Sequence, residues 1–238
     1  MSDNKTRAVV PLESNPEVFT EFAHKLGLQS GFAFHDIYSL TDADLLEFLP
    51  RPVKAIILLF PLNEFFETHK PQSPNRGVQK GGADNTIWFK QNIKNACGLY
   101  AILHSLSNNK SLLEDDSTLS KFLQTYDKKN VDATDEFIYN VSETFSDNFE
   151  AGQTSAPDPN DDVNLHFITF VADPESKDVY ELDGRNENGP IFIGKLDESV
   201  DNGDLIGQKD LIARVQWYMN NASEADKLNF SLLGLSWN

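Results

Sequence analysis

The amino-acid sequence predicts an α+β domain in which helices flank a central antiparallel sheet. The chain has 238 residues, enough for one large domain, and 39% of them are hydrophobic. Helical patterns come first along the chain and strand patterns dominate later, which is typical of helices packed on an antiparallel sheet. No linker or internal repeat divides the sequence, so we expect residues 1–238 to form a single domain.

Helix and strand patterns alternate in the N-terminal part of the sequence. Asn15 is a good helix cap, Pro16 suits the first turn, and Gly27 ends the predicted helix. Thr41 is the predicted cap of a second, shorter helix that ends at Pro50. An aromatic segment and a continuous apolar run predict strands. These strands cover residues 31–38 and 53–60.

Polar segments separate the remaining elements. Residues 63–85 are rich in glycine and proline, so we expect a mobile loop there. Residues 149–164 form a second polar loop. Between the two loops, residues 96–107 and 132–148 have the apolar spacing of helices. Three strands, a helix and a last strand are predicted after the second loop, at residues 165–171, 179–183, 190–194, 204–220 and 230–235.

Charge and cysteine content exclude several classes of function. The chain carries 37 acidic and 20 basic residues, a formal net charge of -17, which repels the phosphates of nucleic acids. This acidity either keeps the protein soluble or attracts a basic partner. A single cysteine predicts neither an internal disulfide nor a zinc site of paired cysteines. The sequence lacks a signal-peptide pattern and a membrane span, so we expect a cytoplasmic protein that can also be nuclear.

Cys97 is a candidate nucleophile because of its place at the start of a predicted helix. Asn95 is a good cap, which puts Cys97 in the first turn. Unpaired backbone N–H groups and the helix dipole stabilise a thiolate in that position. The alternative is a buried structural cysteine. Two donors could stabilise an oxyanion beside it, namely the Cys97 backbone N–H and the side-chain amide of Gln91.

A nucleophilic cysteine needs a base, and His104 is the nearest histidine along the chain. It shares a helix face with Cys97, but it lies roughly 10 Å further along the helix axis, which is too far for a hydrogen bond. We therefore interpret His104 as a surface or packing residue. The base has to come from another part of the sequence.

His166 lies in an otherwise apolar strand, where a polar ring needs a partner. If Val171 pairs with Asp178 in an antiparallel hairpin, His166 lies opposite Asp183 on the same face. The carboxylate can then orient the imidazole, or the two groups can form a purely structural pair. The contact depends on this assumed register. A cysteine at a helix start and a His–Asp pair on neighbouring strands is the arrangement of papain-like hydrolases.

Four motifs resemble those of the ubiquitin C-terminal hydrolases, a family of cysteine peptidases. The segment QNIKNACGLYAILH at 91–104 is similar to the family's active-site pattern of Gln, five residues and Cys-Gly. The segments NLHFITF at 164–170 and YELDGR at 180–185 resemble its histidine strand and aspartate motif. PLESNP at 11–16 resembles its N-terminal signature. The resemblance extends from about residue 8 to residue 235.

This resemblance implies a papain-like fold with a knotted backbone and specific roles for the matched residues. Cys97 is the implied nucleophile, His166 the acid and base, Asp183 its orienting partner and Gln91 the oxyanion donor. Residues 149–164 are implied to cross over the active site. The implied contacts with ubiquitin are made by Pro11, Leu12, Glu13, Ser14, Asn15, Pro16, Leu228 and Phe230.

The function implied by the resemblance is removal of small adducts or peptide extensions from the C-terminal glycine of ubiquitin through a thioester. No metal or cofactor is implied, and a monomer without membrane or nucleic-acid partners is expected. The acidity of the chain suits the basic Arg-Leu-Arg-Gly-Gly tail of ubiquitin. The same chemistry on a ubiquitin-like modifier such as Nedd8, and a non-catalytic ubiquitin-binding module, are the alternatives.

Overall fold

A six-stranded antiparallel sheet is the frame of the computed structural model, which describes residues 7–68, 85–146, 164–197, 199–200 and 203–238. The strands, numbered along the chain, are β1 (Phe32–Asp36), β2 (Ala55–Pro61), β3 (Leu165–Ala172), β4 (Asp178–Leu182), β5 (Ile191–Lys195) and β6 (Ser231–Trp237). They lie side by side in the order β1-β6-β2-β3-β4-β5. Strands from both ends of the chain therefore share one sheet, and the central antiparallel sheet flanked by helices is confirmed.

Helices cover both faces of this sheet. In the described part of the chain they are α1 (Pro16–Leu26), α2 (Ala43–Leu46), α3 (Glu64–Thr68), α4 (Cys97–Ser107), α5 (Thr118–Thr125), α6 (Val131–Thr144) and α7 (Lys209–Asn220). Two short 3-10 helices lie at Lys110–Leu112 and Asp226–Asn229. Among the described residues, no helix combines the length and the apolar composition that a membrane crossing requires.

The core has two parts, one on each face of the sheet. Neighbouring side chains of β2 point to opposite faces, so Ile57 joins one part and Ile56 and Leu58 join the other. The first part contains apolar side chains of α1, α4, α5 and α6, and the second contains those of α3 and α7. Every residue of α4 is buried. The helix that begins at Cys97 is therefore held rigidly inside the domain.

The first helix begins and ends as its sequence predicts. The Asn15 side chain accepts hydrogen bonds from the backbone N–H groups of Glu17 and Val18, at 2.9 and 3.4 Å. Gly27 ends α1 with a φ of 117°, a left-handed conformation that glycine adopts without steric cost.

The bounds of helices α2 and α7 differ clearly from the predictions. Asp42, and not Thr41, caps α2, because its carboxylate accepts the N–H groups that the helix start leaves unpaired, and α2 ends at Leu46 instead of extending to Pro50. Helix α7 begins at Lys209 and not at residue 204, because the Asp204 carboxylate accepts the N–H of Ile206 in a preceding turn. Helix α5 was not predicted, although Ser117 caps it.

The predicted loop at residues 63–85 is wrong at its N-terminal end. Residues Glu64–Thr68 form α3, which begins where the Asn63 side chain accepts the N–H of Phe66 at 3.1 Å. The rest of that segment from residue 69 to residue 84, and residues 149–163 of the predicted crossover loop, lie outside the described residues.

Candidate active site

Cys97 is the first residue of α4 and is 8% exposed. Its predicted place in the first turn of the helix is confirmed, but the predicted cap is wrong. Ala96 occupies the capping position without a side-chain hydrogen bond, and Asn95 has a φ of 60°. Asparagine is suited to helix caps and also to the left-handed conformation, so its presence alone did not fix which role it takes. Of the orphan N–H groups of this first turn, that of Gly98 interacts with the Cys97 sulfur.

His166 and Asp183 are in direct contact, as predicted. His166 Nε2 lies 2.7 Å from Asp183 Oδ1, and the His166 residue is 3% exposed. The assumed register is wrong, because Val171 pairs with Tyr180 and the β3–β4 ladder ends at the pair Thr169 and Leu182. A shift of two residues keeps the same side chains on the same face. The two groups therefore meet diagonally and still form a hydrogen bond.

The carboxylate of Asp183 is held by the turn that follows β4. Its Oδ1 also accepts the backbone N–H of Arg185 at 2.8 Å. The backbone carbonyl of Asp183 accepts the indole N–H of Trp88, again at 2.8 Å. The carboxylate and the main chain of Asp183 are thus fixed from different sides.

Opposite charges stabilise each other in this cluster. Burial alone would raise the pKa of Cys97, but the hydrogen bond and charge of His166 and the N–H groups of Phe167 and Gly98 bring it below the ordinary value. Burial alone would lower the pKa of His166, but the charge and hydrogen bond of Asp183 raise it.

Asp183 completes this set of ionised groups. Burial would raise its pKa, but the charge and hydrogen bond of His166 lower it, with help from Arg185. The directions of these shifts favour a thiolate, an imidazolium and a carboxylate side by side. Because Nε2 of His166 binds Asp183, Nδ1 is the ring nitrogen that remains for Cys97.

Gln91 reaches the same cleft. Gln91, Cys97 and His166 line an open cleft of about 670 Å³. The side-chain Nε2 of Gln91 donates to the backbone carbonyl of Ile93 at 3.0 Å, and its backbone N–H donates to Gly184 at 2.8 Å. An amide NH₂ group has two protons, so the second proton of Nε2 can serve an oxyanion. Among the described residues, no hydrogen bond reaches the buried Oε1 of Gln91.

His104 was predicted to be either a surface residue or a packing residue. The structure shows that it is a buried packing residue. It is 1% exposed, and its Nε2 accepts the backbone N–H of Phe89 at 3.0 Å. Burial lowers the pKa of His104 to about 4, against smaller opposing contributions from Phe89 and Asp183. A neutral ring is required to accept that hydrogen bond.

The family model of the ubiquitin carboxyl-terminal hydrolases, family 1, matches residues 9–220. The chain belongs to this family. It is 52% identical to the ubiquitin carboxyl-terminal hydrolase YUH1 of Saccharomyces cerevisiae over 98% of both chains. A ubiquitin carboxyl-terminal hydrolase of Drosophila melanogaster is 38% identical over 80% of this chain and 84% of its own.

Solved structures of the ubiquitin carboxyl-terminal hydrolase family share the fold. The catalytic domain of Trichinella spiralis UCH37, crystallised with ubiquitin vinyl methyl ester, superposes with a TM-score of 0.70. The alignment covers 97% of this chain and 95% of that one at 24% identity. The family resemblance stated from the motifs is therefore confirmed, and so is the α+β fold with its central antiparallel sheet, while the knotted backbone stays a prediction.

The two segments that the family resemblance assigned to ubiquitin contacts lie together. Ser14 Oγ and Ser231 Oγ are 2.6 Å apart, which joins residues 11–16 to the start of β6. Leu228 is 90% exposed and Phe230 lines an adjacent groove. Leu12 does not fit the predicted role. It is 5% exposed and packs against Gly98, where an added Cβ would lie 3.0 Å from that of Leu12, so it belongs to the core.

The remaining residues of the N-terminal segment are exposed to different extents. Pro11, Glu13 and Pro16 are partly exposed, and the side chain of Asn15 is occupied in capping α1.

Within the described ranges, no group of three or more histidine, cysteine, aspartate or glutamate side chains is arranged to hold a metal ion.

Two features of the site were not found from the sequence. The indole of Trp88 binds the main chain of Asp183, and an ion pair joins Arg185 to Glu67 at 3.3 Å across the cleft. The only signal for Trp88 was its place three residues before Gln91, which does not reveal its partner.

Proposed function

We propose that this chain is a deubiquitinating thiol hydrolase that cleaves small adducts or peptide extensions from the C-terminal glycine of ubiquitin. The observation that carries the proposal is the charged cluster of Cys97, His166 and Asp183, in which Cys97 and His166 line an open cleft and Asp183 binds His166. The family membership supports the choice of ubiquitin, because the relatives are named for that substrate.

The reaction begins with the thiolate of Cys97, which attacks the carbonyl carbon of ubiquitin's terminal glycine. The negative charge that develops on the carbonyl oxygen is stabilised by the Cys97 backbone N–H and by Nε2 of Gln91. His166 then donates its proton to the leaving group as the tetrahedral intermediate collapses to a thioester.

The second half of the reaction uses the same groups in reverse. His166, now neutral, takes a proton from water, and the hydroxide attacks the thioester carbonyl. Collapse of the second tetrahedral intermediate returns the Cys97 thiolate and releases ubiquitin with a free carboxylate. Asp183 keeps the ring of His166 oriented and stabilises its positive charge in both halves. No step in this scheme uses a metal or a cofactor.

The net charge of the chain suits the substrate's tail. The chain as a whole carries a net charge of -17, whereas the cleft beside Cys97 is lined by acidic and basic residues alike, Glu64, Glu67, Lys94 and Arg185. The overall negative charge favours the approach of a basic Arg-Leu-Arg-Gly-Gly tail. Ubiquitin's folded part would contact the partly exposed residues Pro11, Glu13 and Pro16 together with Leu228 and Phe230. We expect the enzyme to act as a monomer in the cytoplasm, and also in the nucleus.

Turnover of a fluorogenic amide of the ubiquitin C-terminus tests this function. We expect the wild-type protein to release the fluorophore and Cys97→Ala to show no turnover while still binding ubiquitin. Turnover by Cys97→Ala at the wild-type rate would refute the mechanism. Faster turnover of the matching Nedd8 amide would assign the chemistry to a ubiquitin-like modifier. Ubiquitin binding without turnover or covalent capture by a ubiquitin electrophile would indicate a non-catalytic binding module.

A further inference from the structure

Residues 88–91 connect the two halves of the catalytic cluster. On one side, the Trp88 indole N–H donates to the backbone carbonyl of Asp183 at 2.8 Å. The backbone N–H of Gln91 donates to the carbonyl of the next residue, Gly184, also at 2.8 Å. Two hydrogen bonds therefore hold the turn that carries Asp183 against the segment that carries Gln91.

The contact between the turn and residues 88–91 leaves no room for a side chain. A Cβ added to Gly184 would lie 2.8 Å from the Cβ of Gln91 and 3.5 Å from the backbone oxygen of Phe89. The main chains pass each other as closely as glycine allows. A small change on one side is therefore transmitted to the other side.

The same segment is anchored to the helix that begins at Cys97. The backbone N–H of Phe89 donates to His104 at 3.0 Å. The backbone N–H and carbonyl of Ile87 are both bound by the side chain of Asn108, each at 2.8 Å. His104 lies in α4 and Asn108 is its C-terminal cap. Because α4 is buried along its whole length, this anchor does not move freely.

We propose that Trp88 is a positioning residue, which fixes the Asp183 turn relative to α4 and so keeps the Asp183 carboxylate in place to orient His166. The proposal rests on the catalytic roles given above for Cys97, His166 and Asp183. The indole N–H of Trp88 donates to the main chain of Asp183, and not to the sulfur or the imidazole. It acts through the main chain of Asp183, whose carboxylate orients His166.

Loss of the indole N–H has a predictable effect on protonation. A looser Asp183 turn weakens the hydrogen bond between Asp183 and His166, which lowers the pKa of His166. A less positive His166 stabilises the Cys97 thiolate less, so the pKa of Cys97 rises. The pH range in which thiolate and imidazolium coexist therefore narrows from both sides.

The variant Trp88→Phe removes the donor and keeps an aromatic ring. We expect its kcat on the ubiquitin fluorogenic amide to fall about three- to tenfold with KM within about twofold, since one neutral hydrogen bond is lost. The bell-shaped dependence of kcat/KM on pH should narrow. The matched control is Trp237→Phe, which removes an indole at the far end of β6, and it should retain the wild-type profile.

A second measurement does not require ubiquitin. The rate at which iodoacetamide alkylates Cys97 follows the thiolate fraction, so its midpoint pH should rise in Trp88→Phe. Asp183→Asn removes the carboxylate charge itself, so the midpoint pH should rise most in that variant. An alkylation midpoint equal to that of the wild type would overturn the positioning role, even if turnover fell. If the midpoint pH rose in Trp88→Phe but the wild-type protein did not turn over the ubiquitin amide, the positioning role of Trp88 would be supported and the proposed substrate would be rejected.

The wild-type protein offers a test that does not depend on the folding of a variant. In an NMR hydrogen-exchange experiment, the indole proton of Trp88 should exchange much more slowly than that of Trp237, a residue that is 53% exposed. Equally fast exchange of the two indole protons would contradict the hydrogen bond to Asp183, and with it the proposal.

Discussion

His104 and His166 are both buried, yet their surroundings favour opposite charge states. They are 1% and 3% exposed, so each loses almost all contact with water. Burial lowers the pKa of His104 to about 4 and leaves it neutral. Burial also acts to lower the pKa of His166, but Asp183 and Cys97 outweigh it and raise that pKa.

The partner of each ring accounts for the difference. His104 accepts the backbone N–H of Phe89 and stacks on the ring of that residue at a centroid distance of 5.7 Å. Phe89 is an uncharged partner, and its contact raises the pKa of His104 less than burial lowers it, so the ring stays neutral. His166 binds a carboxylate at 2.7 Å, which favours the imidazolium. Burial favours the neutral form of both rings, and at His166 the charges of Asp183 and Cys97 outweigh it.

The comparison also separates two tasks. His104 holds residues 88–91 in place as a neutral acceptor, and it has no direct route to the cleft. His166 lies near the start of β3, lines the cleft and can exchange its proton there. A buried histidine is therefore a candidate acid or base only when a charged partner and a path to the substrate are both present.

Exchanging each histidine for glutamine gives the largest expected contrast. His166→Gln should lower kcat roughly 1,000-fold, because general acid–base catalysis is lost. His104→Gln should lower kcat no more than about threefold, because the amide oxygen can still accept the N–H of Phe89. Both are measured with the ubiquitin fluorogenic amide. Urea denaturation of each variant checks that it is folded. A greater loss in His104→Gln would reverse the assignment of the two rings.

The stability of the protein in mild acid should depend on His104. Its pKa is about 4 in the folded protein against an ordinary value of 6.5, so folding favours the neutral ring. This contribution to stability is complete above pH 6.5 and is lost as the pH falls toward 4, about 3 kcal/mol in total. Urea denaturation at a series of pH values measures it.

The expected control for this pH dependence is His104→Gln. In that variant the loss of stability over the same pH window should be smaller by about 3 kcal/mol, because no ring at position 104 titrates. His166 has the opposite sign, since its contribution is complete below pH 6.5 and is lost as the pH rises toward its higher folded pKa. Parallel stability curves for wild type and variant would show that His104 is not the titrating group.

Local sequence was sufficient for the start of α4 but not for its exact cap. The apolar spacing after Cys97 predicts the helix, whereas Asn95 fits two backbone conformations and took the left-handed one. The contact between His166 and Asp183 followed from strand alternation, and it survived an error of two residues in register because that error preserves the face. The face to which each side chain of a helix or strand points is therefore predictable from local sequence, even when the pairing of strands is not.

Long-range pairing explains what the sequence could not predict. Strand β6 lies between β1 and β2, and this order depends on contacts between residues far apart in the chain. The hydrogen bond from Trp88 to Asp183 joins positions 95 residues apart, so nothing near Trp88 reveals it. The core position of Leu12 likewise depends on its contact with Gly98.

Gly184 lies where residues 88–91, which His104 holds, contact the turn of Asp183, which binds His166. A larger side chain at position 184 therefore tests whether these two parts of the site are coupled. In Gly184→Ala the new methyl group would lie 2.8 Å from the Cβ of Gln91, which is too close, so the Asp183 turn must move away from residues 88–91. We expect kcat to fall about tenfold with KM nearly unchanged, because a misplaced Asp183 and Gln91 affect the transition state more than substrate binding. The matched control is Gly31→Ala, whose new methyl group would have its nearest neighbour at 3.8 Å, and which should keep the wild-type kcat. If Gly184→Ala and Gly31→Ala had the same kcat, the segment held by His104 and the turn that carries Asp183 would not be coupled.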